Sequence, residues 1–128
     1  MCILGCGDVG REIAKRLKAF GCRITGVNRT VRVLLDFDEL LPLDKLPDAA
    51  AACDILVCCI ALTPETRGIV SEEIFGRLHD GAIFVNVARG ALADEAALTK
   101  WLQNGGHAVL DVFEEEPLPE SSPLWHRI

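Results

Sequence analysis

The sequence predicts an α/β domain built on a doubly wound, mostly parallel sheet, and three observations carry that prediction. Short apolar runs of strand type alternate along the chain with stretches of helical period. The runs and helices are joined by brief turns, which favours right-handed crossovers between parallel strands with helices on both faces. The first run, Ile3-Leu4, ends in Gly5-Cys6-Gly7-Asp8-Val9-Gly10, a GxGxxG loop that opens directly into a helical pattern.

The 128 residues fit a single domain over 1–128, large enough to bury roughly two-thirds of its unfolded surface. Half of them are hydrophobic, yet no apolar run reaches the roughly 18 to 20 residues of a bilayer span, and the start lacks a signal-peptide layout. A soluble, cytoplasmic protein with no membrane partner is expected. The net charge of -6, with no block of lysine and arginine, leaves no electrostatic footprint for nucleic acid. Six cysteines (Cys2, Cys6, Cys22, Cys53, Cys58 and Cys59) show no CxxC pair and no metal-ligand spacing, so they read as reduced thiols filling apolar positions, with no metal site.

Taken in order, Met1 to Leu4 is a short first strand. From Asp8 to Phe20, apolar Val9, Ile13, Leu17 and Phe20 recur at helical spacing, and Gly21 ends that helix. Cys22 to Val27 reads as a second buried strand. Between Val31 and Pro47 the pattern is poor, with a short edge strand near Leu40 to Leu43. A brief alanine-rich helix over Asp48 to Cys53 precedes Asp54 to Ile60, a continuous apolar run of the kind found in a sheet covered on both faces. Thr63 to Thr66 is a turn, Ser71 is the N-cap of a helix through Leu78, and Ala82 to Asn86 is a strand. Asp94 caps a helix with Leu98, Trp101 and Leu102 on its apolar side, which stops at Asn104-Gly105-Gly106 before a last strand, His107 to Asp111. The acidic, proline-bearing tail from Val112 has no clear period.

This is the layout of a Rossmann-type sheet, in which ligands sit beyond the carboxyl ends of the strands. The GxGxxG loop then reads as a dinucleotide site. Gly5 makes the tight bend, Gly7 lets the backbone approach a pyrophosphate, Gly10 lets helix and strand pack closely, and Asp8 and Val9 begin the helix whose free N–H groups face the phosphates. The other candidates follow the remaining strands. They are Asn28, Arg29 and Thr30, then the stretch after Ile60 with Ala61 and Thr66, then Asn86 to Gly90 with Val87, Ala88 and Arg89, and finally Asp111 onward. Selectivity between NAD and NADP is read after the second strand, where an acidic residue would accept from both ribose hydroxyls and repel a 2′-phosphate. Asn28-Arg29-Thr30 holds an amide, a guanidinium and a hydroxyl instead, so NADP is expected over NAD; the alternative is that Arg29 stacks on the adenine of NAD.

Four separated pieces resemble one family in order and approximate spacing. The glycine loop, Leu62-Thr63-Pro64-Glu65-Thr66-Arg67-Gly68, Val85-Asn86-Val87-Ala88-Arg89-Gly90 and Leu110-Asp111-Val112-Phe113-Glu114-Glu115-Glu116-Pro117-Leu118-Pro119 are similar to the coenzyme domain of the D-isomer-specific 2-hydroxyacid dehydrogenases. The resemblance implies a hydride-transferring oxidoreductase for a small 2-keto or 2-hydroxy acid, of the glyoxylate and hydroxypyruvate reductase type, and a homodimer. Arg89 suits the carboxylate of such a substrate, because a guanidinium stays charged and grips a carboxylate through paired hydrogen bonds. By resemblance Glu116 orients the catalytic histidine and raises its pKa, and Asp111 contacts the nicotinamide carboxamide region. The bland readings are a surface arginine in a turn, a solvated acidic run beside Glu114 and Glu115, and a strand-end aspartate capping local N–H groups.

The family's histidine, in a Thr-Pro-His segment, is not matched. His126 falls too early, and His79 and His107 read as structural. The expectation is therefore the coenzyme half of a two-domain enzyme, inactive by itself. Ala61 stands where the family usually has proline, and the stretch from Leu102 to Asp111 is about two residues short, through either a tightened turn at Gly105-Gly106 or missing residues. A rival of another class is a non-catalytic dinucleotide sensor resembling the C-terminal binding protein corepressors; a stand-alone cofactor-binding fragment is a third.

Overall fold

The computed structural model describes residues 1–126, with His126 by its backbone only. Six strands form one wholly parallel sheet: β1 (Cys2–Leu4), β2 (Thr25–Val27), β3 (Glu39–Leu41), β4 (Ile55–Cys58), β5 (Ile83–Asn86) and β6 (His107–Leu110). Their order across the sheet is β3-β2-β1-β4-β5-β6. The direction of strand addition reverses at β1, which places a crevice between the loops after β1 and β4. Helices α1 (Asp8–Lys18), α2 (Leu46–Ala51), α3 (Glu72–Arg77) and α4 (Glu95–Gln103) make four of the five crossovers, while 28–38 connects β2 to β3 without a helix.

The pleat sorts the core into two parts, because alternate residues of a strand point to opposite faces. Cys2, Leu4, Leu56, Cys58 and Phe84 pack with Leu46, Ala50, Ile74, Phe75 and Leu98 under α2, α3 and α4. Phe75 is the hub of that face, edge-on to Phe84 and stacked on Trp101, each at 5.3 Å between ring centroids. Ile3 and Ile24 pack with Ala14, Ile13 and Leu17 of α1 on the other. Along the row Ile3, Val57, Val85, Val109 on that second face, exposure climbs from 0% at Ile3 to 59% at Val109 with distance from α1.

Several boundaries differ from the sequence expectation, each for a local reason. Helix α1 stops at Lys18 because the Phe20 and Gly21 N–H groups turn back to Leu17 and Lys18 carbonyls, leaving Phe20 83% exposed. Val9 is also exposed; α1 meets the sheet along Gly10 and Ala14, whose small size permits close approach. The expected strand 22–27 shortens to β2 because Cys22 N–H closes on Leu17 O and Ile24 N–H is taken by Asp38 Oδ2 at 2.7 Å. β3 lies one residue earlier than expected and ends before Pro42. Helix α2 starts at Leu46, with Pro47 in its first turn where no N–H is needed, and ends at Ala51. β4 and β6 lose their expected final residues because the neighbouring strands end. Ser71 occupies the N-cap of α3 without a capping side-chain bond, and Leu78 is already extended. Asp94 does cap α4, accepting from Ala97 N–H at 3.0 Å. The connection after α4 closes tightly: Gly105 N–H and Gly106 N–H bond Leu102 and Trp101 carbonyls, and Gly106 lies against the Trp101 ring, where a Cβ would come within 2.4 Å.

Candidate functional site

The glycine loop has the three properties its sequence requires. Gly5 sits at φ +102°, a left-handed conformation, and a Cβ there would strike the Ile60 backbone at 2.5 Å. A Cβ on Gly10 would lie 2.0 Å from Gly5 O, so that glycine lets α1 close onto the loop. Gly7 has open space where its Cβ would be, and it precedes the first turn of α1 with no side chain capping the helix. The unpaired N–H groups of that turn therefore face an open concavity at the positive end of an 11-residue helix, which fits a pyrophosphate. Asp8 is exposed and pairs with Arg11 at 2.7 Å.

Two further loops wall this concavity. After β2, Asn28 accepts from Cys6 N–H at 3.3 Å and donates to Thr30 O at 3.2 Å. Its amide is thus partly committed to holding the glycine loop, and Arg29 and Thr30 stand exposed beside it. After β4, Thr66 is buried; its hydroxyl donates to Ala61 O and accepts from Thr63 N–H, both at 2.7 Å. Thr66 therefore braces the turn from within while also lining the concavity. These elements line a cavity of about 370 Å³ that includes Gly5, Gly7, Asn28, Arg29, Ala61 and Thr66.

A second cavity of about 430 Å³, lined by Val9, Ala61, Val87, Ala88 and Arg89, shares Cys59, Ile60 and Ala61 with the first. One groove thus runs over the carboxyl ends of β1, β4 and β5. Cys59 forms its floor. The Cys59 thiol donates to Gly5 O at 3.1 Å, and burial, reinforced by Cys6, pushes it up to about 12, so it remains a protonated link between the loops.

Arg89 ends the groove at the far side. Its exposed guanidinium donates to its neighbour's carbonyl, Ala88 O, at 2.6 Å, leaving further donors facing solvent. The turn that carries it is held by Asn86, which is buried, accepts from Ala88 N–H at 3.1 Å and donates to Arg89 O at 3.0 Å. Behind it, Gly90 packs directly on the backbone of Phe113 and Glu114, where a Cβ would lie 1.9 Å from Phe113 C. Arg89 and the acidic segment are therefore on adjoining loops. Glu116 is exposed and turns back on its own loop, accepting from Phe113 N–H at 3.0 Å. Asp111 follows β6, exposed, with its N–H on Asn86 O at 3.0 Å.

The sequence reading did not assign the tasks of three residues: Asn86, which braces the Arg89 turn, Cys59, which links two loops of the groove, and Glu65, which pairs with Arg29 at 2.6 Å. A polar Asn ending the run Ile83-Phe84-Val85 was the available signal for the first, since Asn at a strand end binds local backbone. Of the three histidines, His79 lies 3.3 Å from Asp54, His107 is exposed at the start of β6, and the His126 side chain lies outside the described residues.

Comparison with known proteins gives one consistent answer. Residues 1–127 match the sequence model of the D-isomer specific 2-hydroxyacid dehydrogenase NAD binding domain. Over 128 aligned residues the chain is 42% identical to 4-methyl-2-oxopentanoate reductase A of Aspergillus oryzae, covering 92% of this chain and 36% of that protein. Among solved structures, a D-isomer specific 2-hydroxyacid dehydrogenase from Xanthobacter autotrophicus Py2, in complex with NADPH and MES, superposes with a TM-score of 0.92 at 44% identity, covering 98% of this chain and 40% of that one. An NADPH-dependent glyoxylate/hydroxypyruvate reductase from Sinorhizobium meliloti, in complex with NADP and sulfate, does so at 0.88 and 34%, covering 97% and 41%. The chain spans about 40% of the length of such relatives.

Proposed function

The chain belongs to the D-isomer specific 2-hydroxyacid dehydrogenases as their NAD(P)-binding domain, and from that premise we propose that residues 1–128 are the coenzyme half of an NADP-preferring reductase of small 2-keto acids. The observation that carries the reading is the single groove with Arg29 at one end and Arg89 at the other, joined over Cys59, Ile60 and Ala61. Gly5, Gly7 and Gly10 shape the loop, and the N–H groups of Asp8, Val9 and Gly10 hold the pyrophosphate. Arg29, with Asn28 and Thr30, takes the 2′-phosphate. Ala61, Val87, Ala88 and Asp111 border the nicotinamide, which when bound supplies the hydride.

Arg89 holds the substrate carboxylate and polarises the keto group through the guanidinium donors that it leaves facing solvent. Glu116 orients the imidazole that donates a proton to the forming alkoxide, a residue this chain's own matched motifs do not include. Turnover of glyoxylate by the chain alone is therefore not expected. A cytoplasmic homodimer completes the proposal. The relatives are dehydrogenases and reductases, and the corepressor reading draws no support from them.

Fluorescence titration of the chain with NADPH and NADH, in wild type and Arg29→Ala, tests the cofactor assignment. Wild type should favour NADPH, and the variant should lose about tenfold in NADPH affinity, as expected for one charge-assisted contact, with NADH little changed. Equal wild-type affinities would refute it.

A further inference from the structure

We infer that Glu65 is a specificity-determining residue of the cofactor groove, a built-in competitor that occupies the Arg29 guanidinium and must release it when a 2′-phosphate enters. The inference rests on the NADP reading of Arg29. Arg29 Nη2 and Glu65 Oε2 lie 2.6 Å apart although 36 residues separate them in sequence, and they connect the loop after β2 to the loop after β4. Both loops line the cavity that includes Gly5 and Gly7, through Asn28 and Arg29 on one and Ala61, Thr63 and Thr66 on the other, so the pair ties together two parts of its wall.

Both partners sit on loops held by local hydrogen bonds, Arg29 beside Asn28, which binds Cys6 N–H and Thr30 O. Glu65 rides on a braced turn, in which Thr66 binds Ala61 O and Thr63 N–H and Arg67 N–H binds Thr63 O at 3.0 Å. Arg29 stands at the end of a short strand, with only its long side chain reaching across. The backbone that carries Glu65 is therefore held in place, and what can move in this pair is side chain. The two side chains are 57% and 72% exposed, so the pair is weak and can be opened by a stronger anion.

A phosphate dianion draws more charge-assisted bonds from a guanidinium than a carboxylate does, but it must displace Glu65 and then sit beside its negative charge. NAD, with two neutral hydroxyls at that place, leaves the pair intact. Glu65 therefore holds the preference for NADP below what Arg29 alone would give. Its effect is confined to cofactors that carry the phosphate.

The test is a double-mutant cycle of Arg29→Ala and Glu65→Gln, titrated with NADPH and with NADH at 0.05 and 0.5 M salt. Glu65→Gln should tighten NADPH about threefold to fivefold at low salt, the range expected on removing an exposed ion pair, and leave NADH within about 1.5-fold. The gain should shrink at high salt and vanish in the Arg29→Ala background. An unchanged NADPH affinity, or equal tightening of both cofactors, overturns the inference. If Arg29→Ala weakens NADPH alone while Glu65→Gln is silent, only the role of Glu65 falls. If Arg29→Ala shifts neither cofactor, the NADP reading falls with it.

Discussion

Replacing Gly90 with alanine should unlatch the Arg89 turn from the acidic segment. The added Cβ would lie 1.9 Å from Phe113 C, 2.1 Å from Phe113 O and 2.3 Å from Glu114 N, all of them backbone atoms with no rotamer to yield. Reaching an ordinary carbon–carbon contact requires a retreat of roughly 1.5 Å. The strand of backbone that must retreat donates Phe113 N–H to Glu116 at 3.0 Å and Glu114 N–H to Glu95 at 3.3 Å. Overpacking costs about 1–3 kcal/mol and weakening those two bonds about 1 kcal/mol more, for a total of about 3 kcal/mol. For a domain of this size that lowers the melting temperature by roughly 10 °C. Urea unfolding followed by tryptophan fluorescence measures it, with Gly76→Ala as the control. Gly76 lies inside α3 with nothing within 4 Å of its would-be Cβ, so alanine there should add about 0.5–1 kcal/mol. A Gly90→Ala midpoint equal to wild type or to the control would refute the steric account.

Asp94→Ala should cost about 1 kcal/mol in the same assay, through loss of the cap on α4, and Asp94→Asn should recover most of it. His79 is held above its ordinary value by the hydrogen bond to Asp80 O and by Asp54, so its protonated form favours the fold below pH 6.5 and that contribution fades as pH rises through the folded value. The melting-temperature gap between wild type and His79→Gln should accordingly be widest below pH 6.5 and narrow as pH rises further; a gap independent of pH would refute it.

The legible parts of this protein are those fixed by one residue's own chemistry. Gly5, Gly7 and Gly10 each answer a separate local demand, so the loop could be read complete, and Asp94 announced a helix start by its own oxygen. Arg89 was legible as a cation after an apolar strand, and the order of strand and helix followed from periodicity. Strand lengths were not, because Cys22 and Ile60 are as apolar as their paired neighbours and leave the ladder only where the adjoining strand ends or another group takes the N–H. Val9 and Phe20 keep helical spacing with Ile13 yet face solvent, since the small pair Gly10 and Ala14 decided which stripe of α1 touches the sheet. Glu65 was hidden for a different reason: its partner is 36 residues away, on a loop without periodic structure.

The position of β1 between β2 and β4 bears on how the chain reaches this shape. The strand nearest the start of the sequence becomes a centre of the sheet, with its hydrogen bonds on one side satisfied by Thr25–Val27 and on the other by Leu56–Cys58. During synthesis β2 follows soon after β1, but β4 waits for some thirty further residues, and both pairings are non-local and parallel, a slow class of contact to form. Until β4 arrives, β1 exposes one flank and the glycine loop lacks Ile60, the backbone it closes against. The cofactor crevice is therefore a late product of folding, and a nascent chain halted before residue 60 would carry the sequence fingerprint of a dinucleotide site without the site.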